Sequence, residues 1–303
     1  MSALNSTAAA RLAATALFAF APLVLAQETP PAAPDPHAAA WKAAGDAMQP
    51  GPATITLRDQ AQISLPEGYS FIPPKEGAAL MDAMGNQTDE NFLGLIFPQS
   101  QAEWFVTVDF DPAGYIKDDD AKDWDADELL DSLKEGTEAA NEHRKEVGVP
   151  PIEVTRWIEK PNYDAGTHRL VWSAEIKDIG SSGEDAGVNY NTYVLGREGY
   201  VSLNLVTSVA AVESHKPAAR ELLAAVNFND GKRYSDFNAS TDKVAAYGLA
   251  ALVGGLAAKK LGLLATVGLL LAKFGKLLIV GVAAAGAGIA KFFKGKKEEG
   301  TAA

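Results

Sequence analysis

The sequence contains no cysteine and only four histidines among its 303 residues. The lack of cysteine excludes disulfides, thiolate catalysis and cysteine-ligated metals. The histidines are scattered, and no two of them lie at metal-ligand spacing. A glycine-rich phosphate loop is also missing, because Gly180-Ser-Ser-Gly183 is followed by acidic residues rather than by the start of a helix. We therefore expect no cofactor.

Basic charge is scarce through the middle of the chain. Residues 12–242 contain 17 basic and 37 acidic side chains, whereas nine lysines and only two glutamates follow from Lys243 onward. An acidic surface repels nucleic acid phosphates, so no nucleic acid partner is expected. Lysines beside a hydrophobic region are attracted to anionic headgroups, so membrane lipid is the expected partner of the C-terminal part.

The N-terminus has the pattern of a secretory signal peptide over residues 1–26. Arg11 precedes an uncharged apolar run from Leu12 to Leu25, and Ala26 ends a small-residue cleavage site. Residues 27–52 then form a proline- and alanine-rich linker with a short predicted helix. These features predict an exported protein of the bacterial cell envelope, with its folded domain in the periplasm.

The C-terminal region lacks an uninterrupted apolar run of about 20 residues, the length that a spanning helix needs. Lysines divide residues 244–293 into three shorter segments, and residues 294–303 form a basic, polar tail. We predict transmembrane or membrane-associated helices here. One span would place Lys273 and Lys276 near the bilayer centre, whereas two spans, the first from Ala245 to about Leu264, would place them in a turn. The number of crossings and the side of the C-terminus stay open.

Small and basic residues recur at helical spacing in this region. The lysines that share one side of a continuous helix, at about 100° per residue, include Lys259, Lys273, Lys276 and Lys291. The glycines that recur every six or seven residues include Gly255, Gly262 and Gly275. Small residues let membrane helices approach closely, so the region is either a homo-oligomerising, membrane-active assembly or a plain anchor.

Residues 53–240 alternate strand patterns with a few helical ones, which predicts an α+β domain with a mainly antiparallel sheet covered by helices. The sequence Gly196-Arg-Glu-Gly199 predicts a hairpin between the last two long strands. The clearest helix runs from Ala126 to Val147, with Asp125 as its N-cap. Asn141 and Arg144 are assigned to the solvent-facing side of this helix.

Several separated motifs carry a resemblance to a known family. They are Gly114 to Asp120, Trp157 with Pro161 to Asp164, His168 to Trp172, and Asn189 to Thr192 with Leu195 to Arg197. With the lysine-broken hydrophobic end, they resemble the bacterial family of uncharacterised membrane-anchored proteins filed as domain of unknown function 2167, over about Ala53 to Phe293. The resemblance implies an envelope location and an anchor, but no activity. The end of the domain also looks like the PsbP-like αβα sandwich, as a fold-level analogy.

Two groups of polar residues are candidates for chemistry. Asp109, Asp111 and Asp120 follow the spacing of a calcium loop, but Ala113 and Lys117 stand where further ligands are expected, so a solvated acidic turn is the alternative. His168 with Asp164 is the acid/base candidate, and a histidine that only forms hydrogen bonds at a strand edge is its alternative.

These observations favour a membrane-anchored envelope protein whose domain binds or scaffolds an unknown envelope protein. The alternatives are a hydrolase-like periplasmic enzyme that uses His168 and Asp164, and an oligomerising membrane-active helical assembly.

Overall fold

A computed structural model describes residues 36–146, 148–181 and 186–254. The predicted signal peptide, the basic tail, and the predicted membrane residues from Gly255 onward lie outside the described residues. Among the helices that are described, none has the length and apolar character needed to cross a membrane.

The chain forms eleven described strands and five described α-helices. The strands are β1 (Gln49–Pro50), β2 (Ala53–Leu57), β3 (Ala61–Leu65), β4 (Tyr69–Ile72), β5 (Phe92–Pro98), β6 (Phe105–Asp111), β7 (Ile152–Asp164), β8 (Arg169–Asp178), β9 (Gly187–Leu195), β10 (Tyr200–Ser208) and β11 (Val226–Phe228). The helices are α1 (Pro36–Ala47), α2 (Pro74–Ala83), α3 (Ala126–Glu146), α4 (Val212–Ala224) and α5 (Ala251–Gly254).

Eight strands form one large antiparallel sheet in the order β1-β4-β5-β6-β10-β9-β8-β7. The other three form a small antiparallel sheet in the order β11-β3-β2. The predicted α+β class with antiparallel pairing is confirmed. The predicted hairpin is confirmed too, since Tyr200 pairs with Leu195 across the turn between β9 and β10.

One face of the large sheet, here called the first face, is covered by the small sheet and α4. Ile63 of β3, Leu203 of β10 and Leu222 of α4 are almost fully buried in the shared core. Successive residues of a strand point to opposite faces, so the odd-numbered residues 201, 203 and 205 of β10 face this core. Their even-numbered neighbours face the other side.

The second face has two separate helical covers. Helices α1 and α2 pack over β4 and β5, with Leu80, Leu95 and Phe105 in their core. Helices α3 and α5 pack at the opposite end over β7 and β8, with Leu129 and Trp172 in theirs. The central strands β6, β10 and β9 lie between these two covers.

Helix α3 begins as predicted but buries more polar surface than expected. The Asp125 carboxylate accepts the backbone N–H groups of Asp127 and Glu128 at 2.8 and 3.1 Å, which caps the helix. The assignment of Asn141 and Arg144 to the solvent side is wrong, because they are only 5% and 2% exposed. The chain folds back directly after the helix, so that Asn141 pairs with the first residue of β7 and Arg144 Nε donates to the Pro150 carbonyl.

Residues 240–254, here called the strap, bind along the edge of the domain. Arg197 Nε and Nη2 donate to the two oxygens of Asp242 at 2.6 and 2.8 Å. Further along, Tyr115 exchanges backbone hydrogen bonds of 2.8 Å with Lys243 and Ala245. These bonds fasten the strap to the loop that follows β6.

The end of the strap is buried in the second-face core. Leu249 and Val253 are 0% and 2% exposed, and the indole nitrogen of Trp172 donates to the Leu252 carbonyl at 3.1 Å. Residues 244–254 were predicted to begin the membrane region, and a first span from Ala245 does not fit their structure. The residues from Leu249 to Gly254 are apolar because they pack on α3 and β8, so the predicted membrane segment is shortened to residues after Gly254.

Candidate functional site

The structure places His168 beside a different carboxylate from the predicted one. The Tyr163 hydroxyl donates to Asp118 Oδ2 at 2.7 Å and lies 3.1 Å from His168 Nδ1. Asp164, the predicted partner, instead accepts hydrogen bonds from Gly166 N and Thr167 Oγ1 within its own turn. The arrangement is therefore Asp118–Tyr163–His168, and Asp164 shapes the turn between β7 and β8.

A stack of rings holds this group in place. His168 packs on Tyr234 with ring centroids 4.1 Å apart, Tyr234 on Tyr115 at 4.4 Å, and Tyr115 on Phe237 at 3.8 Å. The Tyr234 hydroxyl donates to the Ile116 carbonyl at 2.8 Å. Burial raises the pKa of Tyr234 and of Tyr163. The set formed by Tyr115, Asp118, Tyr163, His168, Tyr234 and Phe237 is called the edge cluster below.

The three calcium candidates are dispersed among different contacts. Asp111 Oδ2 accepts the Tyr200 hydroxyl at 3.0 Å, whereas the oxygens of Asp120 accept the backbone N–H groups of Leu249 and Ala250 at 3.2 and 3.0 Å. Across the described parts of the chain, no group of three His, Asp or Glu side chains is arranged to hold a metal. The calcium site stays a prediction.

Gly114, the first residue of one of the family motifs, has a structural role. Its φ of +99° lies in the region that favours glycine, and a Cβ there would approach the Lys243 carbonyl oxygen to 2.7 Å. Glycine is required here because the strap passes close to the backbone. The predicted membrane residues Gly255, Gly262, Gly275, Lys259, Lys273, Lys276 and Lys291 lie outside the described residues.

A strip of polar side chains crosses the middle of the second face, between the two helical covers. Its members occupy alternate positions of three adjacent strands, β6, β10 and β9. They are Thr107, Asp109, Asn189, Asn191, Ser202 and Asn204, here called the central strip. Because their strand neighbours face the first-face core, these six side chains must face the second side.

The register brings the strip residues side by side. Asn204 on β10 lies opposite Thr107 on β6 and opposite Asn191 on β9. Ser202, two residues earlier, lies opposite Asp109. Strands in a sheet are about 4.8 Å apart, so the row from Thr107 to Asn191 spans about 10 Å.

Several polar atoms of the strip are buried without a hydrogen-bond partner. Thr107, Asn204 and Asn189 are 1%, 3% and 6% exposed. Thr107 Oγ1, Asn189 Oδ1 and both amide atoms of Asn204 have no partner within the described residues. An unpaired buried polar group costs about 1–3 kcal/mol, so a row of such groups is an uncommon feature of a folded core.

Apolar and aromatic side chains border the strip on both sides. Phe105 and Val206 belong to the core under α1 and α2, whereas Trp172 and Tyr193 belong to the core at the strap. Burial, together with the neighbouring carboxylate of Asp109, raises the pKa of Tyr193. The phenol of Tyr193 is therefore neutral near pH 7.

Sequence reasoning missed the central strip, although a signal for it exists. Polar residues recur with a period of two inside three otherwise apolar strands, as Thr107 and Asp109, Asn189 and Asn191, and Ser202 and Asn204. In a sheet covered on both faces, such a repeat marks one polar face. The strand register that joins the three pairs was not available from the pattern.

The fold and the strip describe an α+β protein whose large antiparallel sheet carries buried polar groups on one face. The chain belongs to the family of proteins of unknown function DUF2167, whose model matches residues 49–286. This confirms the family that the sequence motifs indicate. No curated protein matches the sequence.

Two solved structures are similar to parts of the chain. The solution structure of cyanobacterial PsbP from Synechocystis sp. PCC 6803 has a TM-score of 0.36 and 9% identity, and it covers 60% of this chain and 93% of that chain. The crystal structure of PA94, a protein of unknown function from Pseudomonas aeruginosa, has a TM-score of 0.21 and 10% identity, with 56% and 91% covered.

Proposed function

We propose that this chain is a membrane-anchored protein of the bacterial cell envelope whose periplasmic α+β domain binds or scaffolds another envelope protein. The central strip is the observation that carries the binding role. Its buried groups at Thr107, Asn189 and Asn204, which have no hydrogen-bond partner within the described residues, support association with a polar ligand. The signal-peptide pattern and the hydrophobic residues after the strap support export and anchoring.

A PsbP-like αβα sandwich, followed by a hydrophobic helical membrane region, is part of this proposal. Helices α1, α2 and α3 lie on one face of the large sheet and α4 lies on the other, which supports a three-layer arrangement. The strap supports close attachment of the domain to the membrane, because its last residues, up to Gly254, are buried in the core of the domain.

Site-specific photocrosslinking in native membranes tests the binding role. A benzoylphenylalanine replaces Tyr193, which is aromatic, partly exposed and borders the strip; the control carries the same group at Glu138 on the exposed side of α3. We expect a discrete adduct from position 193 that is missing from position 138. Identical patterns from both positions, or no adduct at position 193, would contradict the proposal.

Carbonate extraction of the membranes tests the anchor. The full chain should stay in the membrane pellet, because carbonate releases peripheral proteins but not inserted helices. Recovery of the mature chain in the aqueous supernatant would contradict the anchor and leave the crosslinking result unaffected.

The edge cluster supports a second candidate, a hydrolase-like enzyme. Because the Tyr163 hydroxyl donates to Asp118, the Tyr163 oxygen can accept a hydrogen bond from His168 Nδ1–H. His168 Nε2 then has a lone pair that can accept a proton. Chromogenic ester, phosphoester and glycoside substrates test this role with His168→Gln and with His37→Gln as the control. Turnover lost only in His168→Gln would support the enzyme, and equal turnover in both variants would exclude it.

A further inference from the structure

Strand β2 lies at an edge of the small sheet, because it pairs with β3 on one side only. In an antiparallel strand, the backbone N–H and C=O groups of successive residues point alternately toward the neighbouring strands on the two sides. On β3, the Ser64 N–H donates to the Ala225 carbonyl at 3.0 Å on the β11 side, so the groups of Ile63 point to β2. Ile63 pairs with Ile55 of β2, and the backbone groups of Ile55 therefore point to β3.

The threonines on either side of Ile55 point their backbone N–H and C=O groups away from the small sheet. Within the described residues, these groups of Thr54 and Thr56 form no hydrogen bond. Both threonines are exposed, so the edge can be reached from solvent. An open strand edge of this kind is a template for pairing with a further strand.

The other three sheet edges have features that hinder such pairing. Strand β1 has two residues and ends in Pro50, which lacks an N–H, whereas β7 contains Pro161 and several shifts of register. On β11, the Val226 carbonyl accepts Arg169 Nη2 at 3.2 Å. Strand β2 has no proline, no charged residue and no bulge. Among the described strands, its edge is the one left open.

The face beside this edge is uncharged, although the molecule is strongly acidic. Residues 12–242 contain 17 basic and 37 acidic side chains, so two copies repel each other at long range. The exposed side chains on the outer face of the small sheet are all neutral: Thr54, Thr56, Gln62, Ser64 and Asn227. A second copy that approaches at this edge therefore brings no like charges face to face along the strand.

The edge is also complementary to itself. When two antiparallel copies of β2 pair about Ile55, Thr54 of each copy lies opposite Thr56 of the other. Every outward N–H and C=O of these threonines then has a partner, and the side chains form cross-strand threonine pairs, which stabilise sheets. Shifting the register by two residues instead places Pro52 or Arg58 opposite a threonine. Pro52 has no N–H, and Arg58 leaves the extended conformation with a φ of +54°.

We propose that β2 is a homodimer interface, at which the small sheets of two copies join edge to edge across a two-fold axis at Ile55. So short a strand pair buries less than the about 1,200 Å² of a standard stable interface. The dimer therefore rests on the proposed membrane anchor, because confinement in one membrane raises the effective concentration of the copies. It leaves the central strip unused, so it goes beyond the proposed binding role.

Disulfide crosslinking in native membranes tests this pairing, and the absence of native cysteine makes the products unambiguous. Copies of the full chain with Thr54→Cys and with Thr56→Cys carry different tags and are expressed together. Opposite residues in the proposed register have Cα atoms about 5.5 Å apart, within the range of about 4.4–6.8 Å that a disulfide spans. Two Thr54→Cys copies bring together diagonal positions, at about 7–8 Å. The control, Gln62→Cys in both copies, lies three strand spacings apart, at about 14 Å.

We expect the mixed pair to form about tenfold or more dimer than Thr54→Cys alone, and Gln62→Cys to form almost none. Adding Thr54→Pro to the Thr56→Cys copy should lower the yield several-fold. The proline removes an outward N–H and leaves the hydrogen bonds between β2 and β3 in place. Melting curves show that each variant is folded.

Three results would overturn the inference: no dimer from the mixed pair in membranes, equal yields from the mixed pair and from Gln62→Cys, or a yield that Thr54→Pro does not change in a folded chain. Carbonate extraction separates this failure from failure of the anchor. A chain that is retained in the pellet without forming the mixed dimer contradicts the β2 interface alone. A chain that is released and still forms the mixed dimer contradicts the anchor alone.

Discussion

The edge cluster and the central strip are two polar regions on the same sheet, and they differ in whether their polar groups are hydrogen-bonded. In the edge cluster the hydroxyls of Tyr163 and Tyr234 are hydrogen-bonded, and the rings stack against the loops that hold the strap. In the central strip, Thr107 and Asn204 keep buried atoms unpaired within the described residues. The residues that look most catalytic are therefore also tied into the fold by hydrogen bonds and ring contacts, whereas neutral residues of the strip keep buried polar atoms unpaired within the described residues.

The difference is one of free energy. A satisfied polar network fixes a unique arrangement and stabilises it, whereas each unpaired buried group costs about 1–3 kcal/mol. A folded chain that keeps several such groups in one place departs from the rule that buried polar groups are hydrogen-bonded. Such departures concentrate at functional sites. The following substitutions test this difference between the two regions.

The largest effect is expected for Asn141→Leu. The substitution leaves the buried N–H and C=O of Ile152 without partners, so the free energy of unfolding should fall by about 2–4 kcal/mol. Urea unfolding of the full chain in detergent measures this change. The control Asn162→Leu, on an exposed surface, should stay within about 0.5 kcal/mol of the wild type; a similar loss in both variants would contradict the role of Asn141.

A smaller effect is expected for Asp120→Ala in the strap attachment. The variant leaves the backbone N–H groups of Leu249 and Ala250 without their acceptor, as in the loss of a helix N-cap, at a cost of about 1 kcal/mol. Hydrogen exchange should quicken at these two amides. The exposed Asp123→Ala should change neither stability nor exchange. Unchanged exchange in Asp120→Ala would show that the strap does not depend on this carboxylate.

The ion pair between Arg197 and Asp242 makes part of the stability depend on pH. The side-chain hydrogen bond from Arg197 holds the pKa of Asp242 well below its usual range. A carboxyl group whose folded pKa is depressed contributes stability above its unfolded pKa of about 3.9, and this stability is lost as the pH falls below that value. Melting temperatures between pH 7 and pH 2.5 should decline less steeply for Asp242→Asn than for the wild type. Parallel declines would contradict this linkage.

Local features of the fold were predictable from the sequence, and features that depend on distant parts of the chain were not. The start of α3 and the β9–β10 hairpin follow from Asp125 and from residues 196–199, since caps and turns are encoded within a few residues. The burial of Asn141 and the pairing of His168 with Asp118 depend on segments that meet only after folding.

The strap shows that a short apolar segment cannot be assigned to a protein core or to a membrane from its composition. Residues 244–254 are apolar and rich in alanine, and burial in a protein core and burial in lipid demand the same composition over so short a stretch. Trp172 and Asp120 hold these residues in the domain, and neither could be linked to them by spacing. The central strip required the register of three strands, which the alternation of polar residues alone does not provide.

The free energy of unfolding of Asn204→Leu tests the central claim most directly. If the Asn204 amide is buried for binding and has no partner in the fold, leucine removes an unpaired polar group, and the variant should be as stable as the wild type or more stable. A loss of about 2 kcal/mol or more, as expected for Asn141→Leu, would show that the fold itself satisfies this amide and would contradict the account.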